Sequence, residues 1–135
     1  MNSLHAAATR QAREAEHFDK LALETGEIWW GSVTPAGVLR LTRRAELVHD
    51  ALLPFRDPFV LEIGCGTGAL TRPLLQLLPD LKLCGIDVSP RTIENIGARL
   101  RECKRARFEI ADSSRLPYAD GTFEAIVGNS VLHHV

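Results

Sequence analysis

Cysteine is scarce in this sequence. The three present, Cys65, Cys84 and Cys103, form no CxxC pair and cannot all be bridged to one another. Neither a disulfide framework nor a zinc site is indicated, and a reducing, cytoplasmic setting fits best. Long apolar runs are missing too. No stretch approaches the roughly 20 residues of a membrane span, and the opening Met1-Asn2-Ser3-Leu4-His5 lacks the basic segment and apolar run of a signal peptide. Neither sign of charge is in excess: 16 basic against 17 acidic residues leave a formal net charge of -1. That balance gives no electrostatic reason to expect a membrane or a nucleic acid as the main partner. Basic residues gather at Arg99, Arg101, Lys104, Arg105 and Arg107, which reads as a solvated helix end followed by a turn. Repeats and low-complexity tracts are absent.

What remains is ordinary globular composition. The 135 residues are 45% hydrophobic and 24% charged, enough for one sizeable core and too few for two ordinary domains. Residues from about Ala6 to Leu23 are rich in Ala, Glu, Arg and Gln and are predicted helical. Gly26 ends that helix, and Glu27-Ile28-Trp29-Trp30-Gly31 reads as a loop or lid. Its two tryptophans either close over a substrate or anchor the N-terminal helices to the core, the second being the commoner use. Thr34 and Pro35 then supply a cap and a preset first turn for a helix with the stripe Val38, Leu41, Ala45, Val48 and Leu52.

Past Pro58 the pattern changes. Phe59-Val60-Leu61-Glu62-Ile63 is a buried strand, and Ala69 to Leu78 a helix that either starts near Gly68, with Pro73 in or just past its first turn, or kinks at Pro73. Leu81 to Ile86 form a second strand ending in Asp87. Ser89-Pro90 starts a helix carrying Ile93, Ile96 and Leu100. Ala106 to Ala111 make a third strand ending in Asp112, and Phe123 to Val127 a fourth. Strands alternating with helices predict an α/β fold, a Rossmann-like doubly wound and mostly parallel sheet of about four strands, with N-terminal helices beside it. The expected division is 1–56 as a helical segment and possible lid, and 57–135 as the ligand-binding domain. Val131-Leu132-His133-His134-Val135 reads as the opening of a further helix, so that domain looks incomplete at its C-terminus.

The distinctive residues cluster where such a sheet binds ligands, outside the carboxyl ends of its strands. Gly64, Gly66 and Gly68 let the backbone turn sharply and approach a ligand with no Cβ in the way. Spacing alone leaves the ligand open, because Gly64, Gly66 and Ala69 also satisfy a GxGxxA dinucleotide pattern. Asp87 at the end of the second strand suits both hydroxyls of a ribose, which NAD and S-adenosylmethionine share.

Four stretches in register narrow the choice. Leu61-Glu62-Ile63-Gly64-Cys65-Gly66-Thr67-Gly68 resembles motif I of class I S-adenosylmethionine-dependent methyltransferases. Gly85-Ile86-Asp87-Val88-Ser89 resembles their second motif, and Ala111-Asp112 the acid after their third strand. The run from Leu116 to Val127 resembles the small-molecule methyltransferases of that class. The resemblance covers residues 57 to 135. It implies that Glu62 and the amides of Gly64, Cys65, Gly66 and Gly68 surround the methionine portion of S-adenosyl-L-methionine. It further implies that Asp87 holds the ribose, Val88 lies against the adenine, and Asp112 and Ser113 read the adenine edge. Asn129 and Ser130 would face the amino acid end of the cofactor.

His133 and His134 are the candidates for a general base, although helix-start histidines also serve plain packing. Cys65 is read as a small loop residue and not a nucleophile. The activity implied is methyl transfer to a small-molecule acceptor by in-line displacement, with no metal. Two rivals stand beside it: an NAD-dependent Rossmann oxidoreductase, and a non-catalytic cofactor- or protein-binding module. The near-neutral charge weighs against a nucleic acid acceptor, while the acceptor atom and the oligomeric state stay open.

Overall fold

The computed structural model describes residues 2–24 and 34–129, with side chains of the first helix described for residues 9–20. Trp29, Trp30, Ser130, His133 and His134, and with them the expected lid and the expected final helix, lie outside the described residues. Along the chain run α1 (Asn2–Glu24), α2 (Pro35–Leu52), β1 (Phe59–Ile63), α3 (Thr71–Leu77), β2 (Lys82–Asp87), α4 (Pro90–Arg99), β3 (Ala106–Ile110) and β4 (Ala125–Gly128). Among the described residues no helix is long and apolar enough to cross a membrane.

The four strands form one parallel sheet in the order β3-β2-β1-β4. Alternation along each strand assigns the two faces. Val60 and Leu83 point to one side, where Leu70, Leu74 and Leu75 of the α3 region and Ala45 and Leu52 of α2 join them. Leu61, Cys84 and Ile86 point to the other, under Leu116, Tyr118 and Phe123 of the β3–β4 connection. Leu61, Leu74 and Leu81 have 0% exposure, and each such side chain stabilises the fold by roughly 1.5–3 kcal/mol relative to leaving it in water.

Local chemistry accounts for the helix starts. Thr34 Oγ1 accepts from the Gly37 amide at 3.0 Å, and Pro35 opens α2. Ser89 Oγ accepts from the Thr92 amide at 3.1 Å, and Pro90 opens α4. Pro73 is the third residue of α3. Arg72 and Leu74 donate to the carbonyls of Gly68 and Leu70 at 3.0 and 3.1 Å, and Pro73, which has no amide, leaves Ala69 out of that series, so the continuous helix begins only at Thr71.

Three details depart from the sequence expectation. Val38 is 51% exposed although it continues the stripe that Ala45 and Leu52 bury. The fourth strand begins at Ala125, not Phe123, because Phe123 packs its ring on Phe59 at 4.6 Å and on Tyr118 at 5.0 Å. Glu124 then takes over the edge: its amide donates to Phe59 O at 2.9 Å, and its Oε2 accepts from the Phe59 amide at 2.7 Å. Finally, Arg105 is not a solvated member of a basic cluster. Its guanidinium donates to the carbonyls of Leu75, Leu78 and Leu81 at 2.9–3.0 Å, tying the end of α3 to the start of β2.

Candidate functional site

Register brings the strand ends together. Ile63 lies beside Ile86 on one side and Gly128 on the other, and Asp87 lies beside Ile110. The turn leaving β1 takes positive φ at Gly64 (65°), Gly66 (52°) and Gly68 (82°), the region that L side chains rarely adopt. It is held by Cys65 N to Ile86 O at 3.0 Å, by Gly68 N to Cys65 O at 3.0 Å, and by Gly66 N to Asp87 Oδ2 at 3.1 Å. The glycines serve different ends. A Cβ on Gly68 would stand 2.9 Å from Ile96 Cδ1, so that glycine lets α4 approach the turn. A Cβ on Gly66 would meet nothing within 4 Å among the described residues, so that position faces open space there.

Asp87 closes the other side of this corner. Its Oδ1 accepts from the Ser89 amide at 3.0 Å while Oδ2 holds Gly66. Burial raises its pKa; the amides of Ser89, Gly66 and Val88 pull it back, and the charge of Asp19 pushes it up again. A carboxylate offers about four lone-pair sites, so beside these three amides Asp87 keeps acceptor capacity for a further donor. Behind the turn, Glu62 is 2% exposed and accepts from Thr71 Oγ1 at 2.5 Å. Burial pushes its carboxyl up to about 7, the Thr71 hydroxyl lowers it, and Asp87 raises it. Cys65 is 4% exposed, and burial, then Glu62 and Asp87, push its thiol up. It stays a thiol at neutral pH, a poor nucleophile.

The outer candidates are placed around this corner. Val88 is half-buried beside Asp87. Asp112 follows β3, its Oδ1 accepting from the Ser114 amide at 2.9 Å and its carbonyl from the Arg115 amide at 3.1 Å; Ser113 between them is half-buried. Across β1, Asn129 Oδ1 accepts from Arg44 Nη1 of α2 at 2.8 Å. The structure thus joins Gly66 to Asp87 directly, keeps Glu62 and Cys65 buried behind the same turn, and sets Asp112 and Asn129 on opposite flanks.

Thr71, Asp19 and Arg44 at this site escaped the sequence reading. Asp19 and Arg44 sit on helices whose charged residues look like ordinary solvated faces, and only the tertiary fold brings them to the strand ends. Among the described residues no cluster of three or more His, Cys, Asp or Glu could hold a metal ion. What the corner offers is a bare backbone turn, acceptors for hydroxyl groups, and a concentration of carboxylates that favours a positively charged ligand over an anionic one.

Comparison with known proteins agrees with this chemistry. A family model described as a methyltransferase domain matches residues 60–135, more than half of the chain. The malonyl-[acyl-carrier protein] O-methyltransferase of Legionella pneumophila is 32% identical over 134 residues, covering 98% of this chain and 40% of that protein. The demethylmenaquinone methyltransferase of Thermotoga maritima is 31% identical over 85 residues, covering 63% of this chain and 36% of that protein. The chain therefore spans well under half the length of these relatives. Among solved structures, the magnesium protoporphyrin IX methyltransferase of Synechocystis, with bound SAH, superposes with a TM-score of 0.70 at 19% identity, over 93% of this chain and 61% of that one. The [4+2]-cyclase SpnF gives a TM-score of 0.54 at 30% identity, over 63% of this chain and 32% of its own. By the family match, the parallel sheet and the glycine turn together, the chain belongs to the methyltransferase domain family, with the class I, Rossmann-like fold.

Proposed function

We propose that this chain carries the S-adenosyl-L-methionine site of a methyltransferase acting on a small-molecule acceptor, with residues 57–135 binding the cofactor and the N-terminal helices of 1–56 covering it. The observation that carries the reading is the corner in which Gly66 and Asp87 are hydrogen-bonded while the buried Glu62 carboxylate lies behind them. A sulfonium and an ammonium group gain from such carboxylates, whereas the pyrophosphate of a dinucleotide would be repelled by them. The residues fit the cofactor in kind: Asp87 retains acceptor capacity for ribose hydroxyls, and Gly66 leaves space that a side chain would fill.

When bound, S-adenosyl-L-methionine supplies an already activated methyl group. The chain's own task is then positioning, which can contribute on the order of 7–11 kcal/mol when reactants are well oriented. Asp87 and Gly66 fix the ribose side, Glu62 and the bare backbone of the glycine turn border the methionine side, the amides of Cys65, Gly66 and Gly68 being used within the corner itself, and Asp112, Ser113 and Val88 take the adenine side. Asn129, anchored by Arg44, borders the amino acid end. His133 or His134 is assigned the base, if the acceptor needs one. Relatives named for malonyl-[acyl-carrier protein] and for demethylmenaquinone support a small acceptor or a small group on a carrier. A relative named for ribosomal RNA, from Yersinia pestis, is balanced by this chain's net charge of -1, which supplies no surplus for a phosphate backbone.

A second reading has its own support: SpnF, at 30% identity, is named for a cyclisation and not for methyl transfer. Calorimetric titration with S-adenosylhomocysteine and with NAD tests the cofactor. Saturable binding of the first, lost in Asp87→Ala with its circular dichroism intact, is the expected outcome. A heat signal with NAD alone would overturn the reading. Cofactor binding without methyl turnover on any acceptor supports the second.

A further inference from the structure

Asp19 of α1 reaches the turn between β2 and α4, 70 residues away in sequence, where its Oδ1 accepts from Ser89 Oγ and from the Arg91 amide at 3.3 Å. Ser89 has 0% exposure. Its hydroxyl has one proton, committed to Asp19, which turns its lone pairs toward the Thr92 amide that it caps. Its own amide donates to Asp87, and Asp87 holds Gly66. A single hydrogen-bonded line therefore runs from α1 through Asp19, Ser89 and Asp87 to the tip of the glycine turn.

Local sequence does not demand this arrangement. Ser89 and Pro90 already start α4 without help, and a second carboxylate beside Asp87 works against the ionised form of that residue. What Asp19 adds is a connection: α1 packs along α4, and Asp19 is the point at which that packing meets the strand-end corner. Without Asp19 the buried Ser89 hydroxyl loses its acceptor, and the turn that aims Asp87 loses a fixed end.

We propose that Asp19 is a positioning residue that couples docking of the N-terminal helix to occupancy of the Asp87 corner. The inference rests on the reading of that corner as an S-adenosyl-L-methionine site. Coupling between two equilibria is reciprocal: if docked α1 strengthens ligand binding, ligand must strengthen docking by the same factor. A residue that merely stabilises the fold leaves α1 only the uniform slowing of exchange that any ligand of the folded state confers.

The test uses the full 135-residue chain, S-adenosylhomocysteine as probe, calorimetry for affinity, and amide hydrogen exchange across residues 9–20. Asp19→Ala is expected to weaken binding about five-fold or more and to speed exchange across that segment. Asp19→Asn, which keeps the Oδ1 acceptor, should recover most of the affinity. In the wild type, saturating ligand should slow exchange across residues 9–20 by more than it slows exchange in β1 and β2; in Asp19→Ala that excess should vanish. Wild-type affinity in Asp19→Ala, or wild-type exchange across residues 9–20 that ligand slows no more than it slows exchange in β1 and β2, would overturn the coupling. The second measurement needs no variant, so it decides even where Asp19→Ala does not fold. Wild-type chain that binds no ligand overturns the cofactor reading and the coupling together, whereas binding that is indifferent to Asp19 overturns the coupling alone.

Discussion

The Gly66 amide donates to Asp87 Oδ2 at 3.1 Å, so the tip of the glycine turn and the acid that closes β2 are one structural unit. Neither side chain nor strand packing constrains Gly66 beyond this bond and its φ of 52°, whereas Gly68, at φ 82°, lies against Ile96. Gly66→Ala should cost about 1–2 kcal/mol for the left-handed conformation and leave a folded chain with its S-adenosylhomocysteine affinity reduced at least ten-fold. Gly68→Ala should cost more in folding, about 2–4 kcal/mol, because strain and overpacking act together. Urea unfolding beside calorimetry separates the two; equal losses of stability and of binding in both variants would count against distinct roles.

Much of this corner is written in local chemistry. The caps at Thr34 and Ser89, the glycine turn and the acid at the end of β2 are short-range signals, and each lies where spacing places it. Residues whose role depends on distant partners are different. Asp19 meets Ser89 only after α1 packs on α4, and Arg105 meets three carbonyls only after α3 ends beside β3; in sequence each is one charged residue among several. Phe123 has every mark of a strand residue, yet aromatic packing on Phe59 and Tyr118 keeps it out of the ladder.

Glu62 should make stability depend on pH. Its folded carboxyl sits at about 7 against 4.5 for an unperturbed group, so the folded state binds the proton more tightly than the unfolded chain. The associated stability is fully present below about pH 4.5 and is lost as pH rises through about 7. Its size is on the order of 3 kcal/mol. Glu62→Gln keeps an acceptor for Thr71 but cannot ionise. Relative to wild type, the variant should gain stability between pH 4.5 and 8 in urea titrations; a difference that does not change with pH would refute the assignment.

Arg105 predicts a sharp distinction between two basic residues. Its planar guanidinium serves the carbonyls of Leu75, Leu78 and Leu81 at once, and a lysine ammonium does not reproduce that fork. Both Arg105→Lys and Arg105→Ala should therefore be destabilised, the alanine variant by about 2–3 kcal/mol and the lysine variant by more than half of that. A lysine variant with wild-type urea midpoint would show that charge alone suffices.

Gly85 is the point where the sheet and the glycine turn compete for space. It pairs with Glu62 across to β1 and with Phe108 across to β3. A Cβ there would stand 2.7 and 2.8 Å from the Phe108 ring and 3.1 Å from Cys65 Cβ. The Phe108 ring lies on the face with the Leu83 cluster, so displacing it opens the edge of that core, and displacing Cys65 moves the turn that carries Gly66. Gly85→Ala should cost about 1–3 kcal/mol and weaken S-adenosylhomocysteine binding as well. Adding Phe108→Leu removes the ring from the clash, so the double variant should be less destabilised than the two single costs combined. Strict additivity in urea unfolding would mean that Cys65, and not Phe108, yields to the added methyl. In that case, the loss of ligand affinity should persist undiminished in the double variant.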